Sequence, residues 1–248
     1  MENKPYVNIE VANSMGMITF YHPSHNSLPG DILAKLAQTI TEAGKNDAIK
    51  VIVLKSAGDR VFCAGANFKE LLAINSIEEG RQFFSGFAKV INSCRKCPKL
   101  IIGRIQGKAV GGGVGLAAAV DYCLATKYAS VKLSELNIGI GPFVVGPAVE
   151  RKIGVSAMSQ LAINADTFQT AEWVREKGLY TEIFDTTEEL DNAVVELSLK
   201  LAKYNPKAMQ LLKTTFWKGT EDWDKLLAVR AEISGELVLS DFTKEKLK

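Results

Sequence analysis

Apolar and polar positions alternate over residues 6–11 and again over 15–21, with Asn13-Ser14 between them, which predicts a β-hairpin. Leu33, Leu36, Ile40 and Ala43 then recur at helical spacing behind Pro29-Gly30, predicting a helix that stops at Gly44. A strand is expected at 50–55, around Val51-Ile52-Val53-Leu54. Ser76-Ile77-Glu78-Glu79 has the form of a capping box. Behind it Phe83, Phe87, Val90, Ile91 and Cys94 fall on one face of a helix that Pro98 ends. A strand at 99–105, a helix at 116–120, a strand at 122–126 and a short strand at 131–133 follow. From about Ser156 the pattern becomes mostly helical, and Asn205-Pro206 supplies a capping residue and a first-turn proline.

Strand, turn and helix thus recur at about 50-residue spacing over the first 150 residues, which makes the class α/β, without a residue-level repeat. The turns carry the candidate chemistry. Phe62-Cys63-Ala64-Gly65-Ala66-Asn67 and Ala109-Val110-Gly111-Gly112-Gly113-Val114-Gly115 each join an apolar strand to a segment with helical character. Small residues let the backbone approach a ligand closely, and a helix N-terminus offers N–H groups without intrahelical partners. Two such turns facing one point would form a pair of donors for a developing oxyanion. Glu135, between Leu133 and Leu136, is expected to be partly buried near a strand end, where desolvation raises a carboxyl pKa toward the range useful for proton transfer.

Composition narrows the partners. At 248 residues with 47% hydrophobic and 23% charged residues, the chain matches an ordinary well-cored protein. A net charge of +2 gives no basis for nucleic-acid or membrane binding. The N-terminal Met-Glu-Asn-Lys-Pro lacks the apolar core of a signal peptide, so a cytoplasmic location is expected. Four cysteines show no disulfide framework. Cys94-Arg-Lys-Cys97 reads as the end of a helix stripe rather than a metal or redox motif, and no metal site is expected. His22 and His25 share one loop and form no ligand set.

Phe62-Cys63-Ala64-Gly65-Ala66-Asn67-Phe68-Lys69-Glu70, the stretch from Gln106 through the glycine triplet to Leu116, and Leu133-Ser134-Glu135 with its continuation to Pro142 resemble, in order, three motifs of the crotonase (enoyl-CoA hydratase/isomerase) superfamily. The resemblance runs from about residue 6 to Phe242 and is nearest to bacterial members of the methylglutaconyl-CoA hydratase type. It implies a spiral of ββα repeats over residues 1–190 and a helical C-terminal trimerisation region over 191–248, assembling as a homotrimer or hexamer. It also implies an acyl-CoA substrate with no separate cofactor. Ala66 and Gly112 match the residues whose N–H groups form the oxyanion hole, and Glu135 matches the proton-exchanging glutamate. Lys69 matches a position near the CoA phosphates, and Asn26-Ser27-Leu28 a loop that helps cradle the adenine end. Ala64, Asn67, Phe68 and Phe143 complete the expected substrate-contacting set, Phe143 as a wall of the acyl pocket, whose remainder is expected from the 70–90 region and the tail helices.

Two departures shape the expected reaction. Typical hydratases of this family carry a second glutamate where this chain has Gly115, and Asn67 stands for a usual aspartate, a change expected to affect turn capping more than chemistry. One carboxylate can isomerise a 3-enoyl-CoA, removing a proton at C2 and returning it at C4. It can equally relay a proton while one water adds to a 2-enoyl-CoA. The resemblance around Gly115 and Gly-Pro-Phe-Val-Val after Glu135 favours hydration, with the isomerase as alternative and a non-catalytic acyl-CoA- or RNA-binding relative as the third class.

Overall fold

In a computed structural model, the structure describes residues 4–247; Met1, Glu2 and Asn3 of the N-terminal stretch lie outside them. The hairpin forms from β1 (Tyr6–Ala12) and β2 (Met15–Tyr21), paired antiparallel. Asn13 and Ser14 take φ of 51° and 62°, the double left-handed turn that matches the twist of a tight hairpin. β3 (Ser27–Leu28) leads to α1 (Gly30–Lys45), then β4 (Val51–Ser56), β5 (Val61–Cys63), β6 (Gly65–Ala66), α2 (Phe68–Leu72) and α3 (Ile77–Lys96). β7 (Ile101–Ile105), β8 (Lys108–Val110), α4 (Gly112–Ala119), β9 (Tyr122–Thr126) and β10 (Val131–Lys132) follow. A 3-10 turn at Glu135–Ile138 precedes α5 (Gly146–Ile163), α6 (Ala171–Glu176) and β11 (Glu182–Phe184). α7 (Thr187–Leu201), α8 (Pro206–Phe216), α9 (Trp223–Leu237) and α10 (Asp241–Lys246) complete the chain.

The main sheet has order β1-β2-β4-β7-β9-β11, parallel from β2 onward. A smaller parallel sheet, β10-β8-β5, and the pair β3-β6 stand apart from it. Continuous apolar runs suit strands covered on both faces, and Ile52, Leu54 and Ile101 are accordingly sealed in the main core with Leu36 and Ile40 of α1 and Val90 and Ile91 of α3. On the sheet's other face Val51, Val53 and Ile102 pack with Leu190 and Val194 of α7. The expected boundary after residue 190 therefore falls inside a helix that belongs to the sheet layer.

Several local readings shift. α1 ends at Lys45, one residue past the expected stop at Gly44, and a β-carbon at Gly44 would sit 3.1 Å from Pro98 and 3.2 Å from the Cys97 sulfur, so the glycine also marks a close contact. Ser76 caps α3 by accepting from the Glu79 N–H, but Glu79 reaches back to the Asn75 N–H instead of Ser76, leaving half a capping box. The complete box is Thr186 with Glu189. The helix expected at 116–120 starts at Gly112, and the helical stretch expected from about Ser156 already begins with α5 at Gly146, which kinks at Gly154, φ 74°. All four cysteines are buried, and burial pushes the Cys63, Cys94 and Cys123 thiols up to about 12.

The tail divides into two faces. Met209 and Leu227 are buried against this chain's own core, with α9 lying along α3. Leu212 and Phe216 are each 47% exposed. Among the described residues no helix is long and apolar enough to cross a membrane.

Candidate functional site

The small sheet brings the three motifs together. Its strands β5, β8 and β10 run parallel, with Cys63 beside Ala109 and Lys132 beside Val110. The segments that leave their carboxyl ends, 64–66, 111–112 and 133–135, therefore emerge side by side, the usual place for a ligand in a parallel sheet. Two buried amides hold this frame. Asn26 donates to the carbonyls of Ala57 and Val61 and accepts from the His22 N–H, and Gln106 donates to Ser56 Oγ and the Gly58 carbonyl.

The two turns meet backbone to backbone. A β-carbon on Gly65, whose φ is +88°, would sit 3.0 Å from the Val110 carbonyl and 3.4 Å from the Gly112 nitrogen. One on Gly112 would sit 2.3 Å from Phe87 Cζ, so no side chain fits between this turn and α3. Gly112 is the first residue of α4 and its N–H has no carbonyl behind it within the helix. The Ala66 peptide is fixed from both sides: Ser27 Oγ donates to its carbonyl at 2.9 Å, and the next N–H, of Asn67, donates to Leu28 at 3.1 Å. Alternation along the strand then turns the Ala66 N–H away from β3.

Glu135 opens the 3-10 turn just beyond the end of β10. Gly139, φ 81°, closes that turn, where Phe242 and Thr243 of α10 press against it. The carboxylate points back at the glycine turn: a β-carbon on Gly111 would lie 3.1 Å from Glu135 Oε1. Glu135 Oε2 is buried without a hydrogen-bond partner, and burial pushes the carboxyl up to about 7. Gln106 Oε1 in the frame is likewise buried without a partner among the described residues, but Glu135 lines the cavity, where a ligand could supply one.

These groups share one cavity of about 250 Å³. Ala64, Ala66, Phe68, Gly112, Glu135 and Phe143 line it. Ser27 and Asn67 act from behind: Ser27 steadies the Ala66 peptide, and Asn67 caps α2 by accepting from the Lys69 and Glu70 N–H groups at 3.0 and 3.2 Å. Lys69 is exposed on the first turn of α2, outside the lining. Leu28 requires a correction. Its side chain has no exposed surface and its carbonyl is taken by Asn67, so it supports the turn from the core and cannot touch a ligand. Asn26 is likewise 4% exposed and committed to the frame, which removes it from any adenine cradle.

The lining also contains Leu71 and Phe84 from the 70–90 region and Ser234 from the tail, with Ile140 and Val145 from the stretch after Glu135. Phe84 falls beside the predicted stripe of α3, and Ser234 arrives from α9, distant in sequence. Val145 explains the absent second carboxylate. A β-carbon on Gly115 would lie 2.5 Å from Val145 Cγ1 and 2.8 Å from its Cβ, so Val145 fills the space that a side chain at 115 would need.

The short-chain-enoyl-CoA hydratase of Clostridium acetobutylicum is 28% identical over 242 residues, covering 96% of this chain and 92% of that protein. The mitochondrial methylglutaconyl-CoA hydratase of Mus musculus is 30% identical over 200 residues, covering 79% of this chain and 63% of that protein. The crystal structure of an enoyl-CoA hydratase from Bacillus halodurans superposes with a TM-score of 0.90 at 24% identity, with 98% of each chain covered, a likeness of fold. The sequence pattern of the Enoyl-CoA hydratase/isomerase family matches residues 10–246, and the chain belongs to that family.

Proposed function

We propose that this chain hydrates a 2-enoyl-CoA, with the thioester oxygen held by the N–H groups of Ala66 and Gly112 and with Glu135 moving the proton. The observation that carries the proposal is the buried, unpartnered Glu135 Oε2 in the same apolar cavity as two abutting backbone turns. In this reading Glu135 takes a proton from water as the water oxygen bonds to Cβ. The electrons of the double bond move through Cα into the thioester, whose oxygen gains charge beside the two donors. Glu135 then returns the proton to Cα, and one water has been added. Backbone N–H donors suit this task because they are already oriented and need no reorganisation.

A second reading rests on Val145. With its side chain filling the space beside Gly115, the site has one carboxylate to work with, and one carboxylate is enough to shuttle a proton from C2 to C4 of a 3-enoyl-CoA. Assays on crotonyl-CoA and 3-hexenoyl-CoA separate the two. The proposal expects loss of the enoyl absorbance of crotonyl-CoA with water incorporated at C3; conversion of 3-hexenoyl-CoA alone would replace hydration by isomerisation. Turnover of neither, with no acyl-CoA raising the melting temperature, would remove the reading altogether.

The assembly is proposed on the same basis. Leu211, Leu212 and Phe216 of α8 and Val229 of α9 are 45–55% exposed. Exposed apolar side chains on these two helices favour burial against further copies of the chain. A trimer or hexamer is expected in light scattering at micromolar concentration, and a clean monomer would contradict it.

A further inference from the structure

The lining of the acyl cavity carries information about the acyl group itself. Leu71, Phe83, Phe84, Phe87, Ile140 and Val144 are among its apolar lining. Among the described residues that line it, none is lysine, arginine or histidine, and Glu135 is the one ionisable group. A second carboxylate carried in by the substrate would lose its water without gaining a counter-charge, and it would share a small space with the Glu135 carboxylate.

A cation stands just outside. Arg230 of α9 places its guanidinium 6.0 Å from the centre of the Phe143 ring. It borders a separate hollow with Pro147, Glu150 and Trp223. Phe143 lines the acyl cavity, and its ring folds back so far that a β-carbon on Gly141 would sit 2.6 Å from Cζ. One aromatic ring thus stands between an apolar cavity and a guanidinium.

We propose that this site accepts short, uncharged acyl chains and rejects acyl chains ending in a carboxylate, and that Phe143 sets this preference by screening Arg230 from the cavity. The proposal rests on the acyl-CoA reading above and adds the chemical class of the acyl group. It sets this chain apart in substrate from any relative that acts on a dicarboxylic acyl-CoA.

The test compares kcat/KM for 2-hexenoyl-CoA with that for glutaconyl-CoA and 3-methylglutaconyl-CoA. A preference for the uncharged chain on the order of 100-fold or more is expected from the desolvation of an unpaired carboxylate. Phe143→Ala should narrow that ratio by roughly tenfold as the guanidinium gains access, and adding Arg230→Ala should restore it. Comparable kcat/KM for charged and uncharged chains in the unmodified protein would overturn the proposal. A ratio unchanged in Phe143→Ala, with an unchanged circular dichroism spectrum and melting temperature as the sign of an intact fold, would overturn the role of Phe143. Absence of both turnover and binding for every acyl-CoA would instead overturn the underlying functional reading, which keeps the two failures distinct.

Discussion

Glu135→Gln is expected to lower turnover by about a hundred- to ten-thousandfold, the usual worth of positioned general acid–base catalysis. The amide keeps the shape of the side chain and cannot exchange the proton. Acyl-CoA affinity should change little, because the proposed oxygen-binding donors are backbone groups of Ala66 and Gly112. The pH dependence should change with it. Burial pushes the Glu135 carboxyl from 4.5 up to about 7, and the step that takes a proton from water needs the ionised form. In the unmodified protein kcat/KM should therefore rise with pH through about 7. Stability runs the other way. Between about 4.5 and about 7 the folded chain keeps a proton at Glu135 that the unfolded chain has lost. That stabilisation is complete below the lower value and disappears as pH rises through the upper one. The Gln variant should lack this slope, which paired denaturation curves across that range would check.

Asp121→Ala should be the most damaging single change away from the cavity. Asp121 and Lys213 form an ion pair at 2.8 Å with side chains 4% and 2% exposed. The same carboxylate accepts from the Ile101 N–H at the start of β7 and from Trp217 Nε1 after α8, each at 2.8 Å. Lys152 of α5 donates to the Asp121 carbonyl. One residue thereby ties the sheet to α5 and α8. Removing it leaves the Lys213 ammonium buried with the Lys99 carbonyl as its remaining hydrogen-bond partner. Breaking a buried pair in this way typically costs about 3–5 kcal/mol. For a chain of this size that corresponds to a fall in melting temperature of roughly 6–20 °C. Asp121→Ala/Lys213→Met should recover much of the loss, because no charge is then left unpaired. A loss below about 1 kcal/mol in the single variant would mean that water reaches the pair.

The parts of the site legible in the sequence are those where local geometry and residue type coincide. The Ala64-Gly65-Ala66 and Gly111-Gly112-Gly113 turns stand out because close backbone approach demands small residues, and the spacings at Gly65 and Gly112 bear that out. The hairpin at Asn13-Ser14 and the Asn205 cap were legible for the same reason. What local pattern could not give was contact between distant segments. Nothing near Gly44 in sequence announces that Pro98 and Cys97 pack against it. Leu28 lay within a motif, and only the packing of β3 on β6 reveals that its side chain faces the core. Glu135 sits on a 3-10 turn because Gly139 and α10 shape the chain beyond β10, again a tertiary cause. The filling of the Gly115 site by Val145, thirty positions away, is of the same kind.

The structure of Glu135→Gln with bound crotonyl-CoA tests the central claim most directly, since the variant should hold the substrate without consuming it. The account expects the thioester oxygen at about 2.7–3.1 Å from both the Ala66 and Gly112 nitrogens, with the acyl chain running past residue 135 into the phenylalanine-lined cavity. A thioester oxygen bound away from both turns, or an acyl chain lying outside that cavity, would contradict it.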